Sequence, residues 1–289
     1  MTKAERIALI SFPIILAIGF GLAWAGSQNG QDWNGLALFT MSVGLAFVVQ
    51  WVVFIPAFIQ QTEKFFDITG SITYISITSF ALFSVTNPQP RSFLLWAVVL
   101  VWAIRLGAFL YRRVHKAGKD DRFDDIKPSF IRFLNVWTIQ GLWVAFTAAT
   151  AWAGITSTHQ TGLDAFAWVG FLAWLVGFAI ETIADQQKSA FNANPANKGK
   201  FIQSGLWARS RHPNYFGEIL LWLGVAIIAF PALSGWQWVT LISPLFVTLL
   251  LTRVSGIPLL EAKSDRKWGG QADYEAYKQK TPVLFPRIF

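Results

Sequence analysis

The sequence predicts an all-α protein, a polytopic helical bundle with about eight transmembrane helices, seven or nine being the neighbouring counts. Three observations predict it. Of its 289 residues, 54% are hydrophobic and only 14% charged, too few charges to cover the surface of a soluble domain of this size. Apolar runs recur at about the length that spans a bilayer, roughly 20 residues. Lys and Arg gather in every second linker between those runs.

The first run, 7–25, is long and contains Pro13 and Gly19, so it is expected to be a retained helix rather than a signal peptide. Runs at 35–59, 68–86, 92–111, 130–153 and 163–184 follow, each long enough for one crossing. The last two, 215–231 and 236–252, are shorter and are expected to tilt little or to form a tight hairpin.

The linkers at 26–34, 154–162 and 231–235 carry no Lys or Arg, and that at 87–91 carries only Arg91. Nearly all other basic residues lie in the alternate segments: Lys3 and Arg6, Lys64, Arg112 to Lys127, Lys188 to Arg211, and Lys263 to Arg287. The positive-inside tendency then places both termini and the long polar loops in the cytoplasm. Topology and anionic membrane lipids account for the net charge of +8, so no nucleic-acid partner is implied.

Several chemistries are absent. With no cysteine there is no disulfide framework, thiolate nucleophile or thiolate metal site. His115, in a basic loop, and His159, in a short outer loop, show no metal-ligand spacing, and no metal is expected. Neither a Gly-x-Gly-x-x-Gly fingerprint, a P-loop nor a serine nucleophile elbow occurs.

Polar groups are costly within a membrane, so function is expected where they enter it. Four segments do so on the expected cytoplasmic side. "IQQTEKFFDITGSITY" (Ile59–Tyr74) supplies Gln60, Gln61, Glu63 and Tyr74, and "RLGAFLYRRVHKAGKDDRFDDIK" (Arg105–Lys127) leaves the fourth run. The linker Glu181–Glu218 joins the sixth and seventh runs and ends in "SRHPNYFGE", and "TRVSGIPLLEAK" (Thr252–Lys263) leaves the eighth. Glu181, Asp185 and Lys188 are spaced i, i+4, i+7 and so share one helix face; Asn214 and Glu218 lie one turn apart. The competing reading is that these are helix-end residues solvated by headgroups, with Asp185 and Lys188 paired along their own helix.

The motif "RHPNYFGE" and the tail "DYEAYKQKTPVLFP" (Asp273–Pro286) resemble the C-terminal region of steroid 5-alpha-reductases and membrane sterol reductases. With "TEKFFDITGSITY", "RLGAFLYRR", "DDRFDDIK" and "SGIPLLE", the whole chain looks like a bacterial family of unknown function in the same superfamily. Isoprenylcysteine carboxyl methyltransferases are related and share an Arg-His-Pro-x-Tyr motif. The resemblance therefore implies NADPH or, alternatively, S-adenosylmethionine as cofactor. It also implies a multi-pass protein of the bacterial inner membrane with its active site toward the cytoplasm.

In the reductases, an Asn and an acid one turn later contact the nicotinamide end of NADPH, roles that fall by resemblance on Asn214 and Glu218. Asp185, Arg211, His212, Tyr215, Arg253 and Glu261 are implied as further cofactor contacts. The steroid enzymes hold their enone with an adjacent Gln-Glu pair and a Tyr; here the nearest groups are Gln60 and Gln61 as substrate contacts, with Glu63 and Tyr74 as proton donors. Glu261 stands where those enzymes have a Tyr.

The reading is one membrane domain over 1–289, with 1–129 on the lipid-substrate side and 178–289 binding cofactor. The expected activity is NADPH-dependent reduction of a conjugated C=C in a lipid or sterol-like substrate. The alternatives are a lipid or prenyl methyltransferase, or a non-enzymatic transporter or scaffold. A transporter fits less well, because no repeat relates the two halves and the polar residues cluster at one face instead of the midplane.

Overall fold

A chain in lipid must satisfy its backbone N–H and C=O groups within itself, which turns long apolar runs into helices. The computed structural model describes residues 1–117 and 123–287 and shows this polytopic helical bundle. Helix α1 (Lys3–Ser27) opens on a capping box, with the Thr2 hydroxyl accepting from Glu5 N at 3.2 Å and the Glu5 carboxylate from Thr2 N at 2.8 Å. A two-residue hairpin follows, β1 (Asp32–Trp33) against β2 (Leu36–Ala37). Its turn residues Asn34 and Gly35 have φ of 51° and 80°, the left-handed pair that suits this turn. Then come α2 (Leu38–Ile59), α3 (Phe66–Ser84), α4 (Pro90–Ala117), α5 (Phe130–Thr156) and α6 (Ala165–Ala193). The C-terminal third contains α7 (Pro213–Ala229), α8 (Ile242–Leu249), α9 (Ile257–Trp268) and α10 (Ala272–Lys280).

Among the described residues, seven helical stretches are long and apolar enough to cross a membrane, and α5 is not one of them. The fifth apolar run does become a helix, but a core helix: every residue from Thr147 to Thr156 is buried. Small residues in "TAATAWAGIT" let neighbouring helices close in on all sides, and their low hydropathy is the consequence. The eighth run also differs from a plain helix. It begins as a 3-10 segment (Gly235–Leu241), becomes α8, and passes through a π-helical turn (Leu250–Val254) before the break at Ser255-Gly256.

The helices fall into two compact units, Met1–Ala167 with Ile228–Ser243, and Trp168–Ile227 with Pro244–Phe289. In the first, α5 is packed by α1, α2, α3 and α4. Arg91, 1% exposed, closes this unit at the start of α4. It donates to Gly162 O at 2.8 Å and Ile228 O at 2.5 Å, and pairs with Asp164 at 2.7 Å. In the second unit α6 and α7 touch backbone to backbone. A Cβ at Gly177 would lie 2.5 Å from Leu221 N, and one at Gly217 would lie 2.6 Å from Glu181 N. A third, at Gly224, would lie 2.6 Å from Gly170 O. Glycine is required at these crossings because nothing larger fits.

Candidate functional site

The segment before α7 is fixed before any ligand is considered. Pro213 occupies the first helical position, where its missing N–H is no loss. The buried Ser210 hydroxyl donates to Leu284 O at 2.8 Å and accepts from His212 N at 3.2 Å. Arg211 N donates to Pro282 O at 2.9 Å, so the C-terminal tail runs alongside the motif and pins it. The His212 ring stacks on Tyr215, with centroids 5.6 Å apart and planes 10° from parallel.

The antiparallel glycine contact brings Asp185 of α6 opposite Asn214 of α7, and Asn214 Nδ2 donates to Asp185 Oδ1 at 3.2 Å. Lys188, one turn further on, lies with its ammonium 4.4 Å from the centre of the Trp207 ring. Trp207 is held in turn by its indole N–H on Ala184 O at 3.0 Å. Glu218 is half-buried one turn along α7 from Asn214.

Glu261 of α9 reaches the motif. One carboxylate oxygen accepts from Arg211 Nη1, and the other sits 2.7 Å from His212 Nε2. Arg211 Nε and His212 Nδ1 are enclosed and have no partner. Burial, partly opposed by the bond to Glu261, holds His212 below its ordinary value of 6.5, so the ring is neutral at pH 7 and donates to Glu261 through Nε2.

Arg211, His212 and Glu261 line a cavity of about 310 Å³ in the second unit, at the small end of ligand-pocket size. Lys188, Lys200, Lys263 and Lys267 also line it, giving five basic side chains against a single carboxylate. Much of its remaining wall is aromatic. Phe201 packs edge-on to Trp268 and Tyr274 at 5.8 and 5.2 Å, and the Tyr277 hydroxyl donates to Trp207 O at 2.7 Å. Burial pushes that hydroxyl up to about 12, so it keeps its proton.

Other expected site residues lie elsewhere. Asn214, Tyr215 and Glu218 of the motif, and Asp185 opposite it, do not line the cavity, and Arg253 is exposed in the π-helical turn. Gln60, Gln61, Glu63 and Tyr74 belong to the first unit. Gln60 and Gln61 are exposed at the end of α2, and Gln61 donates to Phe58 O at 2.7 Å. Glu63 is buried and pairs with Lys127 at 2.6 Å. That hydrogen bond, opposed by burial, holds the Lys127 ammonium above its ordinary range. Tyr74 is buried on α3, edge-on to Trp102 at 5.1 Å. The side chain of His115 lies outside the described residues.

Sequence reasoning missed two amides, that of the buried Gln50 and that of the half-buried Gln140. Gln50 donates to Thr73 Oγ1 at 2.8 Å and Gln140 to Phe66 O at 3.0 Å, while both side-chain carbonyl oxygens are enclosed without partners. A lone Gln inside an apolar run was the available signal.

A probable O-methyltransferase of Ustilaginoidea virens is 32% identical over 80 residues, 28% of each chain. An uncharacterised protein of Schizosaccharomyces pombe is 24% identical over 65% of this chain and 61% of its own. A Delta(14)-sterol reductase of Arabidopsis thaliana is 29% identical over 30% of this chain and 26% of its own. The chain thus spans between about a quarter and three-fifths of these relatives. No solved structure matches it. The family model described as "Protein of unknown function (DUF1295)" matches residues 51–281, and the chain belongs to that family.

Proposed function

We propose that this integral membrane protein is an NADPH-dependent reductase of a conjugated C=C bond in a lipid or sterol-like substrate. The observation that carries the reading is the charge of the cavity: Lys188, Lys200, Arg211, Lys263 and Lys267 against Glu261 alone. Such a wall suits the phosphates of a dinucleotide and repels the sulfonium cation of S-adenosylmethionine. The partnerless Arg211 Nε adds a donor in need of an acceptor. The similarity to a sterol reductase supports the same choice.

NADPH supplies hydride when bound. The chain's own residues bind and orient. The basic wall takes phosphate, and Asn214, held by Asp185, presents its remaining amide groups to a carboxamide that Glu218 can also accept from. Of the two proton donors considered, the Tyr74 hydroxyl is assigned to stabilise the developing enolate oxygen, and Glu63 pairs with Lys127. An aimed donor in a water-poor site contributes on the order of 3 kcal/mol.

A thermal-shift titration in detergent tests the cofactor: NADPH stabilises the protein and S-adenosylmethionine does not. The reverse result would give the site to the methyltransferase reading, which the O-methyltransferase relative favours. Once a substrate is in hand, Tyr74→Phe lowers turnover about a hundredfold with NADPH binding retained. The reading also places the basic segments at the cytoplasmic face of a bacterial inner membrane, so inverted vesicles accept added NADPH and right-side-out vesicles do not.

A further inference from the structure

We infer that Arg211 and His212 form a phosphoryl-binding subsite, which the protein's own Glu261 fills until a ligand displaces it. The inference rests on the cavity taking a phosphate-bearing ligand, and it adds a role for Glu261 opposite to that of a ligand contact.

The donors are fixed and the acceptor is the open partner. Arg211 and His212 side chains are 13% and 6% exposed, whereas that of Glu261 is 23% exposed. The motif is tied to the tail through Arg211 N on Pro282 O and Ser210 on Leu284 O, and His212 is stacked on Tyr215. Glu261 belongs to a separate helix, α9, and offers one oxygen to a guanidinium and the other to an imidazole. A phosphoryl group makes the same pair of contacts and has a third oxygen to spare.

Arg211 Nε is enclosed and has no acceptor, so Glu261 leaves one donor of the guanidinium unserved. The four lysines in the wall draw an anion inward, and among the lining residues Glu261 is the only carboxylate to repel it. Exchange of Glu261 for a phosphoryl group keeps the Arg211 and His212 contacts, leaves a further oxygen for the lysines of the wall, and releases the carboxylate to the open side. A small or singly charged anion gains less than this exchange costs, so Glu261 selects for the phosphates of a nucleotide.

The test is calorimetric titration of sodium pyrophosphate and of NADPH into protein purified in phospholipid-free detergent. Glu261→Gln, which keeps the shape and removes the charge, is expected to bind both about tenfold tighter than the wild type. Glu261→Asp, too short to reach both partners, falls between them and serves if the Gln variant does not fold. Equal or weaker binding by these variants, with the wild type binding NADPH normally, overturns the inference and leaves Glu261 as a residue that orients Arg211. Failure of the wild type to bind either ligand overturns the reductase reading along with it. Phosphatidylglycerol added to the micelles leaves the NADPH titration unchanged; competition would give the subsite to a lipid headgroup instead.

Discussion

The two units bury charged groups in opposite styles. In the first, charges are matched: Arg91 donates to two carbonyls and pairs with Asp164, and Glu63 is matched by Lys127. Thr73 and Thr138 return their hydroxyls to the carbonyl four residues back, as helix hydroxyls do. In the second unit, five cations face one carboxylate around a cavity, and an enclosed guanidinium N–H has no acceptor. On the proposed reading, matched charge marks a scaffold, and a surplus of one sign marks a place for a ligand of the other.

Substitutions in each unit can break this contrast. The largest effect is expected from Arg91→Leu, which strands two carbonyls and Asp164. Stability should fall by about 3 kcal/mol in chemical denaturation, with NADPH affinity of the folded fraction unchanged. Unchanged stability would mean the clamp is incidental. Gly177→Ala comes next, because its methyl must push α7 away from α6. A loss of about 2 kcal/mol is expected, here with NADPH binding weakened as well, since the same crossing sets Asn214 against Asp185. Full NADPH affinity in that variant would uncouple the helix crossing from the site.

The smallest effect concerns pH. Burial lowers His212 below 6.5, so below that pH the unfolded chain takes up a proton that the folded protein resists. Stability therefore declines as pH falls through 6.5, and above it the group contributes no slope. Comparing the melting temperature of the wild type with that of His212→Gln between pH 8 and pH 5 should show a smaller acid-side decline in the variant. Parallel curves would mean the ring is not held neutral by the fold.

Helix positions were legible because lipid imposes one rule on every crossing. The run read at 35–59 is α2 at Leu38–Ile59, and that at 130–153 is α5 at Phe130–Thr156. The run at 163–184 is the apolar part of α6, Ala165–Ala193, as the shared helix face of Glu181, Asp185 and Lys188 implies. The helix continues through Asp185 and Lys188 to Ala193, where apolarity stops but hydrogen bonding does not. The hairpin at Asn34-Gly35 was signalled by its turn pair, yet four strand residues are too few to stand out in a helical chain.

Apolar length and the spacing of basic residues thus determined the membrane class and the approximate helices, and the "SRHPNYFGE" segment drew attention to one wall of the cavity. Which polar groups meet was decided only by tertiary structure. Arg91 looks in sequence like one stray charge in an outer loop, and it becomes a clamp because Gly162, Asp164 and Ile228 arrive beside it. Glu261 lies 50 residues from Arg211, and nothing local to either announces the pair. Hydropathy is a property of each segment and its solvent, and so it can be read along the chain. Complementarity between charges belongs to pairs, and the chain must fold before the pairs exist.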